Sequence, residues 1–280
     1  MKIGLFGINF GVAGAVEAMV AIARAAEASG IESVWTGEHV VLPDPRVAPS
    51  PSDPQTPLLD PAVALSHIAA HTERLRLGTG VIILPQRNPV VLAKELASVD
   101  VVSKGRLIFG LGAGYLEPEF RAVGAPFEDR GAVTDEAIEA IKALWTMEKP
   151  AYKGKFFAFD GIDSQPRPVQ KPHPPIVVGG MSRRAARRAA RYGNGWFGFL
   201  TDIEATARSI EWIHSYIANG DRPAELGEIE ISVTPPKRLS QEVVDRYEEI
   251  RVHRLIPAFS ATTLDEALRF VDDIGKIASR

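Results

Sequence analysis

The chain contains no cysteine among its 280 residues. Disulfide bonds, thiolate catalysis and cysteine metal sites are therefore excluded. No apolar run approaches the ~18 residues that a membrane helix needs, and residues 1–6 lack the long apolar core of a signal peptide. A formal charge of −3 gives no reason to expect binding to nucleic acid or to an anionic membrane. These absences favour a cytoplasmic protein of enzyme size.

Motifs of several enzyme classes are missing as well. The sequence has no nucleophile elbow, no Walker loop and no convincing acid–base pair of carboxylates. His67 and His71 stand four residues apart on a predicted helix, as zinc ligands can, but no acid follows at the spacing of a zinc protease. We therefore predict no metal site. So little acid–base equipment indicates that a cofactor carries the chemistry.

What the chain has instead is an alternation of short β-rich runs with amphipathic helical patterns. Eight such units match the length expected of a closed barrel, whereas a doubly wound sheet would usually need fewer strands. No fixed-period repeat or low-complexity linker divides the chain. We therefore predict one α/β domain over residues 1–280, a (β/α)8 TIM barrel with an insertion between strands 4 and 5. The predicted strands are Ile3–Ile8, Ser33–Thr36, Leu75–Ile83, Arg106–Leu111, Ile176–Val178, Gly195–Phe199, Ile229–Val233 and Val252–Ile256. The predicted helices are Ala15–Ser29, Pro61–His71, Pro89–Val102, Thr134–Met147, Ser182–Tyr192, Ile203–Ala218, Gln241–Ile250 and Leu264–Ile277.

Two longer segments interrupt this alternation. Residues 43–57 contain six prolines, which predicts a stiff, extended excursion after the second strand. Residues 150–175 contain the strand-like run Lys155–Phe159 and a proline-rich return. We expect both segments to lie near the barrel mouth, where long loops form lids and substrate walls.

The second predicted strand ends in an acid–histidine pair, Glu38-His39. The carboxyl ends of barrel strands direct side chains into a shared pocket. Histidine exchanges a proton near neutral pH and can hydrogen-bond a flavin-like ring. We take His39 as the candidate proton donor, acceptor or ring-orienting group, and Glu38 as the residue that sets its tautomer and orientation. The alternative is a buried histidine that donates to a main-chain carbonyl.

Glycine-rich stretches follow two further strands. Gly78 and Gly80 interrupt the third strand, which predicts a bulge or the close approach of a ligand, the alternative being a tight barrel corner. The run Phe109–Gly114 is similar to a dinucleotide-binding loop, but three β–α units precede it and Pro118 stands where the next helix should be established. A glycine-lined floor at the mouth explains it at least as well. Four acids after this strand either supply a catalytic acid or lie in an exposed loop: Glu117, Glu119, Glu128 and Asp129.

The fifth strand leads through Gly179-Gly180-Met181-Ser182 directly into a helix. Free main-chain N–H groups, a serine hydroxyl and the positive end of the helix would converge there, which predicts an anion site. Five arginines lie in residues 183–191. Only Arg183 and Arg184 belong to the first helical turn, and we expect the others to form a solvated outer face.

Taken together, these stretches resemble the luciferase-like monooxygenase superfamily, and especially its deazaflavin-dependent branch, the oxidoreductases that use coenzyme F420. The resemblance is specific for the superfamily and separates F420 users from FMN users much less well. It rests on the opening of the first strand and on Trp35–His39, Leu77–Val81, Arg106–Gly114 and Pro175–Ser182.

The resemblance implies a place for the cofactor. The deazaflavin ring would lie across the barrel mouth with His39 near its reactive edge, backed by a bulge whose non-proline cis bond would be Gly80–Val81. The phosphate would sit on residues 179–182. The implied cofactor-binding residues are His39, Thr79, Gly80, Val81, Gly112, Gly114, Gly179, Gly180, Met181, Ser182 and Arg183.

One departure from the family pattern narrows the expected reaction. The sugar-phosphate dehydrogenase of this group has a tryptophan four residues after the histidine and an acid just after the strand-four glycine, where this chain has Pro43 and Ala113. We therefore expect hydride transfer to or from another small organic substrate. The alternatives are an FMN-dependent two-component monooxygenase and a cofactor-binding protein without turnover. Family habit also implies a homodimer.

Overall fold

The computed structural model describes residues 1–278, in which strands and helices alternate along most of the chain. The strands are β1 (Lys2–Phe6), β2 (Ser33–Thr36), β3 (Arg76–Thr79), β4 (Ile82–Ile83), β5 (Leu107–Gly112), β6 (Tyr152–Lys153), β7 (Ala158–Phe159), β8 (Ile176–Gly179), β9 (Gly195–Gly198), β10 (Glu230–Val233) and β11 (Arg254–Leu255). The helices are α1 (Val16–Ala28), α2 (Pro61–His71), α3 (Pro89–Val102), α4 (Glu117–Val123), α5 (Arg130–Thr146), α6 (Arg183–Tyr192), α7 (Ile203–Ala218), α8 (Gln241–Glu249) and α9 (Leu264–Ala278).

The large sheet closes on itself as a parallel barrel. Neighbouring strands run in the order β3-β2-β1-β11-β10-β9-β8-β5-β4, and the pairing of β3 with β5 completes the ring. Strands β3 and β4 occupy one position of the barrel because both pair with β5. The barrel therefore has eight positions, and the predicted TIM barrel is confirmed.

Two apolar layers hold this architecture together. Alternate strand residues point inward, where five of them and one residue just after β11 form a small cluster inside the barrel. The others point outward, where a larger cluster packs the strands against the helices. Trp35 shows how tightly the interior is filled, because a Cβ at Gly78 would lie 2.4 Å from its ring. The inner cluster consists of Phe6, Trp35, Ile108, Val177, Phe197 and Ile256.

Helix α4 is the element that the sequence analysis missed. Pro118 was taken as an argument against a helix after the fourth barrel strand, but it occupies the first turn of α4. That position suits proline because the N–H groups of the first turn have no acceptor within the helix. The helix buries Glu119 and Phe120. For Glu119 the exposed-loop alternative is therefore wrong, because this residue lies in a helix and is buried.

The insertion between the fourth and fifth barrel strands packs on the outside of the barrel. Its antiparallel hairpin β6–β7 lies along α5, where the Glu136 carboxylate accepts hydrogen bonds from the N–H groups of residues 155–157. The Tyr152 hydroxyl donates to Glu139 of the same helix, and Arg167 donates to the Leu144 carbonyl. The expectation that residues 150–175 form a wall of the mouth stays a prediction: the hairpin packs along α5, and Lys155 forms an ion pair with Asp129 just before that helix.

Candidate functional site at the barrel mouth

The loop after β2 is held in place by a buried asparagine. Asn9 accepts a hydrogen bond from the Gly37 N–H at 2.9 Å and donates to the Gly37 carbonyl at 2.9 Å and to the Leu59 carbonyl at 2.6 Å. Its side chain is fully buried. These three bonds fix the main chain immediately before Glu38 and His39, so the direction in which both side chains leave the strand is determined.

Glu38 does not orient His39, contrary to the sequence-based expectation. Its carboxylate accepts hydrogen bonds from the Ile83 N–H at 2.5 Å and from the guanidinium of Arg87. Arg87 also donates to Asp60 at 2.8 Å. Burial raises the pKa of Glu38, and the positive charge of Arg87 opposes that shift. Glu38 therefore ties the loop after β2 to β4, and its role is to hold the shape of the mouth.

The acid that contacts His39 is Glu119 of α4. Its Oε2 lies 3.1 Å from His39 Nδ1, and its Oε1 accepts the Val40 N–H at 2.6 Å. The Glu119 side chain is 0% exposed and that of His39 is 13% exposed. The two residues are 80 positions apart in the chain, so no local motif could reveal the pair. The sequence signal for it was the cluster of acids soon after the fourth barrel strand.

A bulge interrupts the third barrel strand between β3 and β4. Residues 79–81 stand opposite only two residues of β5, because the pairing shifts by one between Gly78 and Ile82. The Thr79 hydroxyl replaces the lost ladder bonds: it donates to the Gly110 carbonyl at 2.6 Å and accepts the Gly110 N–H at 2.8 Å. The Gly80–Val81 bond is cis, as the resemblance implies.

Val81, which the bulge brings into the mouth, explains two of the predicted glycines. A Cβ added to Gly112 or to Gly179 would lie 2.8 Å from a methyl group of Val81. These glycines therefore make room for the valine. Gly112 is buried, and a Cβ on Gly114 would lie 2.6 Å from both Ile83 and Phe120. Thr79 is fully buried as well. Thr79, Gly112 and Gly114 thus shape the site from below.

The remaining predicted residues stand at the start of α6. Gly180 (φ 122°), Met181, Ser182 and Arg183 are all exposed. The Ser182 hydroxyl accepts the Ala185 N–H at 3.2 Å and so caps the helix. The N–H groups of residues 181–184 have no hydrogen-bond partner within residues 1–278. The guanidinium of Arg183 lies over the Trp212 ring at 5.3 Å, so its side chain leans towards α7.

The sequence predicts a solvated outer face for Arg187, Arg188 and Arg191, and one of these three arginines does not lie there. Arg188 is buried, with its guanidinium 2.5 Å from the Asp135 carboxylate and 2.9 Å from the Gly131 carbonyl. Arg187 and Arg191 are exposed and lie on the solvated face, as expected. Arg188 therefore links α6 to α5 and makes no contribution to an anion site at the helix start.

The rim of the mouth is apolar and open to solvent. Tyr115 is half-exposed, and its ring meets that of His39 edge-on at 6.1 Å. Burial, followed by the negative charge of Glu119, raises the pKa of Tyr115. Phe199, also exposed, packs its ring 4.8 Å from that of Phe6. Val40 and Val41 add further exposed apolar surface beside His39. This rim suits a flat, largely apolar molecule.

A separate cavity of about 700 Å³ lies beside the mouth, between the loops that follow β10 and β11. None of the predicted site residues lines it. Its walls include Leu200, Lys237, Arg269 and Phe270. The predicted residues instead gather in two places on the carboxyl side of the barrel: around His39 and the bulge, and at the start of α6.

The chain is similar to known proteins in sequence and in fold. The sequence profile described as luciferase-like monooxygenase matches residues 1–262. An uncharacterized protein of Mycobacterium tuberculosis is 30% identical over 262 residues, covering 90% of each chain. The FMNH(2)-dependent dimethylsulfone monooxygenase of Pseudomonas putida is 31% identical over 170 residues, or 59% of this chain and 47% of that protein.

One solved structure resembles the chain from end to end. It is the F420-dependent secondary alcohol dehydrogenase in complex with an F420–acetone adduct, with a TM-score of 0.79 over 100% of this chain and 99% of that one. The two sequences are 16% identical, so the similarity is one of fold alone. Within residues 1–278, no helix is long and apolar enough to cross a membrane. The profile match and the mycobacterial relative are decisive: the chain belongs to the luciferase-like monooxygenase family.

Proposed function

We propose that this protein is an oxidoreductase that uses coenzyme F420 to transfer a hydride to or from a small organic substrate. One observation carries the proposal. His39 stands at the barrel mouth with Nδ1 against a buried carboxylate, on the same side of the barrel as the exposed start of α6. When bound, the deazaflavin would supply the hydride chemistry, and the protein would supply position, proton handling and exclusion of water.

The start of α6 fits a phosphate group. The N–H groups of residues 181–184, which have no partner in the described part of the chain, and the positive end of a ten-residue helix are the features that bind phosphate in other proteins. Gly180 has φ 122°, which side chains other than glycine rarely adopt, and a Cβ there would lie 3.0 Å from that of Ala185. We assign Gly180, Met181 and Ser182 to the phosphate, with the main chain of Arg183.

The floor and rim of the mouth fit a planar ring. Val81 lies between Gly112 and Gly179 and forms a short apolar platform, and Tyr115 and Phe199 provide exposed aromatic edges. The Glu38–Arg87 pair holds the loop after β2 to β4 and so maintains the platform. His39 would hold or accept the proton of a substrate oxygen or nitrogen at Nε2.

An FMN-dependent monooxygenase is the second candidate, because a relative 31% identical over 170 residues is named for its dependence on FMNH2. Phosphate binding at α6 suits FMN as well as F420. We place F420 first because the chain covers only 47% of that monooxygenase, and because a histidine backed by a carboxylate suits proton transfer coupled to hydride transfer. A cofactor-binding protein without turnover is the third reading, since Pro43 and Ala113 replace two catalytic partners known in the family.

A titration with each cofactor tests the proposal. Purified protein is titrated with F420 and, separately, with FMN, and the quenching of tryptophan fluorescence is followed. We expect saturable micromolar binding of F420 and at least tenfold weaker binding of FMN. Tighter binding of FMN would move the protein to the monooxygenase reading, and binding of neither cofactor would refute both.

A matched pair of glycine variants tests the phosphate assignment. Gly180→Ala should weaken F420 binding at least tenfold, because it strains the main chain at the start of α6. Gly161→Ala is the control, since Gly161 also has a positive φ (62°) but lies in the insertion with open space around it. Equal effects of the two substitutions would contradict the assignment.

The same proposal includes the cellular location and the oligomeric state of the protein. We expect a cytoplasmic homodimer whose only other partner is its small-molecule substrate. Sedimentation equilibrium of the purified protein would give twice the mass of one chain, and a monomer at micromolar concentration would contradict that expectation.

A further inference from the structure

Two glutamates flank His39, and only one of them has a cationic side chain beside it. Glu38 is paired with Arg87. Within residues 1–278, no lysine or arginine lies within ion-pair distance of Glu119, whose side chain is fully buried. Its partners are the Val40 N–H and the imidazole of His39. Burying a carboxylate is costly unless hydrogen bonds or an opposite charge compensate it. The imidazole therefore compensates the Glu119 carboxylate as well as packing against it.

The geometry decides which ring nitrogen carries a proton. An ionised carboxylate only accepts hydrogen bonds. Glu119 Oε1 already accepts the Val40 N–H, and Oε2 faces His39 Nδ1 at 3.1 Å. When Glu119 is ionised, Nδ1 is therefore the donor, whether the imidazole is neutral or positively charged. In the neutral ring Nε2 is then left with its lone pair free.

The other nitrogen of the ring is available at the mouth. His39 Nε2 has no hydrogen-bond partner within residues 1–278 and is not among the side-chain atoms sealed from solvent. Tyr115 approaches the ring edge-on, with its centroid 6.1 Å away, so it packs against the imidazole without bonding to either nitrogen. Nε2 is thus the nitrogen that a bound molecule would meet.

We propose that Glu119 is the positioning residue of the site: it holds His39 with the proton on Nδ1, so that Nε2 exchanges the proton at the barrel mouth. The second bond of Glu119, to the Val40 N–H, fixes the main chain beside the ring at the same time. One carboxylate on α4 therefore controls both the orientation and the tautomer of a residue in the loop after β2. The claim about proton transfer rests on the proposed function, but the claim about the tautomer does not.

The tautomer is measured directly by nitrogen NMR of protein labelled with 15N-histidine. Spectra are recorded without cofactor, at a pH at which His39 is neutral, and its signals are assigned by their loss in His39→Asn. We expect a proton on Nδ1 and none on Nε2 in the native chain. A native spectrum with the proton on Nε2 would overturn the proposal.

Two substitutions of Glu119 make the test specific. In Glu119→Gln the side-chain amide can donate as well as accept, so we expect the signals of His39 to move towards the other tautomer. Glu119→Asp keeps the charge and should retain the native tautomer in part. Glu136→Gln is the matched control, because Glu136 also accepts main-chain N–H groups but lies on the outer face of α5. His39 signals unchanged in Glu119→Gln would also overturn the proposal.

Binding and turnover separate this inference from the proposed function. Glu119→Gln should change the dissociation constant of F420 by less than threefold, whereas turnover, once a substrate is found, should fall by about 10²–10⁴-fold. A loss of F420 binding equal to the loss of turnover would show that Glu119 acts only as a structural support. Failure of the native protein to bind F420 would refute the proposed function and leave the tautomer measurement standing.

Discussion

The two ends of the barrel differ in how their charged and polar side chains are partnered. At the amino ends of the strands, Arg254 is 2% exposed and donates to Glu32 at 2.9 Å and to Glu230, while its guanidinium lies 5.6 Å from the centre of the Trp35 ring. At the carboxyl ends, a histidine keeps one nitrogen free and apolar side chains are left exposed. At the amino ends, which we call the closed end, Arg254 is paired with two carboxylates, whereas the carboxyl ends leave groups available to a ligand.

This difference separates residues that hold the fold from residues that await a ligand. Glu38 and Glu119 show that residues of both kinds occur within the mouth itself. Both are buried beside His39, yet one is compensated by Arg87 and the other by the imidazole. Substitutions at the closed end should therefore change stability alone, and substitutions at the mouth should separate stability from function.

The largest effect is expected at the closed end. Arg254→Met removes a buried guanidinium, which leaves Glu32 without its ion-pair partner and Glu230 with Lys2 alone. We expect a loss of about 3 kcal/mol in the free energy of unfolding, measured by urea denaturation, with F420 affinity unchanged in the folded protein.

The control for this substitution is an exposed ion pair. Arg238→Met breaks the pair with Asp273, which should cost about 0–1 kcal/mol. Similar losses in the two variants would show that burial does not distinguish the closed end.

The platform of the mouth should respond to a single added methyl group. Gly112→Ala places a Cβ 2.8 Å from Val81, so we expect it to cost about 1–3 kcal/mol of stability through overpacking and to weaken F420 binding. Val81→Ala in the same chain should recover most of that stability. A double variant no more stable than Gly112→Ala alone would mean that Val81 is not the side chain that requires glycine there.

His39 should matter little for stability and much for function. In His39→Asn the amide can still donate to Glu119, so we expect the free energy of unfolding to change by less than about 1 kcal/mol. The substituted side chain cannot exchange a proton near neutral pH, and turnover should fall by about 10²–10⁴-fold. Loss of cooperative unfolding in urea would instead place His39 among the residues that hold the fold.

The smallest effect is a pH dependence at the closed end. Glu27 near the end of α1 accepts the N–H groups of residues 73–75, and these bonds outweigh burial and lower its pKa. A pKa that is lower in the folded than in the unfolded state stabilises the protein above the unfolded value and loses that contribution as pH falls through the folded value. The stability difference between the native chain and Glu27→Gln should therefore shrink as pH falls below the unfolded value of about 4.3. A difference independent of pH would contradict this assignment.

The barrel could be predicted because its signals are local. Eight β–α units follow from periodicity and from glycine and proline positions, and the end of β2 drew attention to His39. The partner of His39 could not be predicted, because Glu119 reaches it only through tertiary packing, and Pro118 disguised the helix that carries it. Adjacency in the chain favoured Glu38, whose side chain points to Arg87 instead.

The glycines show a second limit of sequence reasoning. Gly112 and Gly179 were correctly placed near the mouth, but their reason is the Val81 side chain between them. A pattern of glycines predicts that another group comes close to the main chain, but it does not identify that group. The bulge at residues 79–81 was among the predictions from the sequence, but the contact of Val81 with both glycines depends on the register of β3 and β4 against β5.

A crystal structure of the complex with F420 would test the account most directly. We predict a deazaflavin ring over Val81, its edge within reach of His39 Nε2, and a phosphate bonded to the N–H groups of residues 181–184. Cofactor seated in the cavity between the loops after β10 and β11, away from His39, would contradict the central claim.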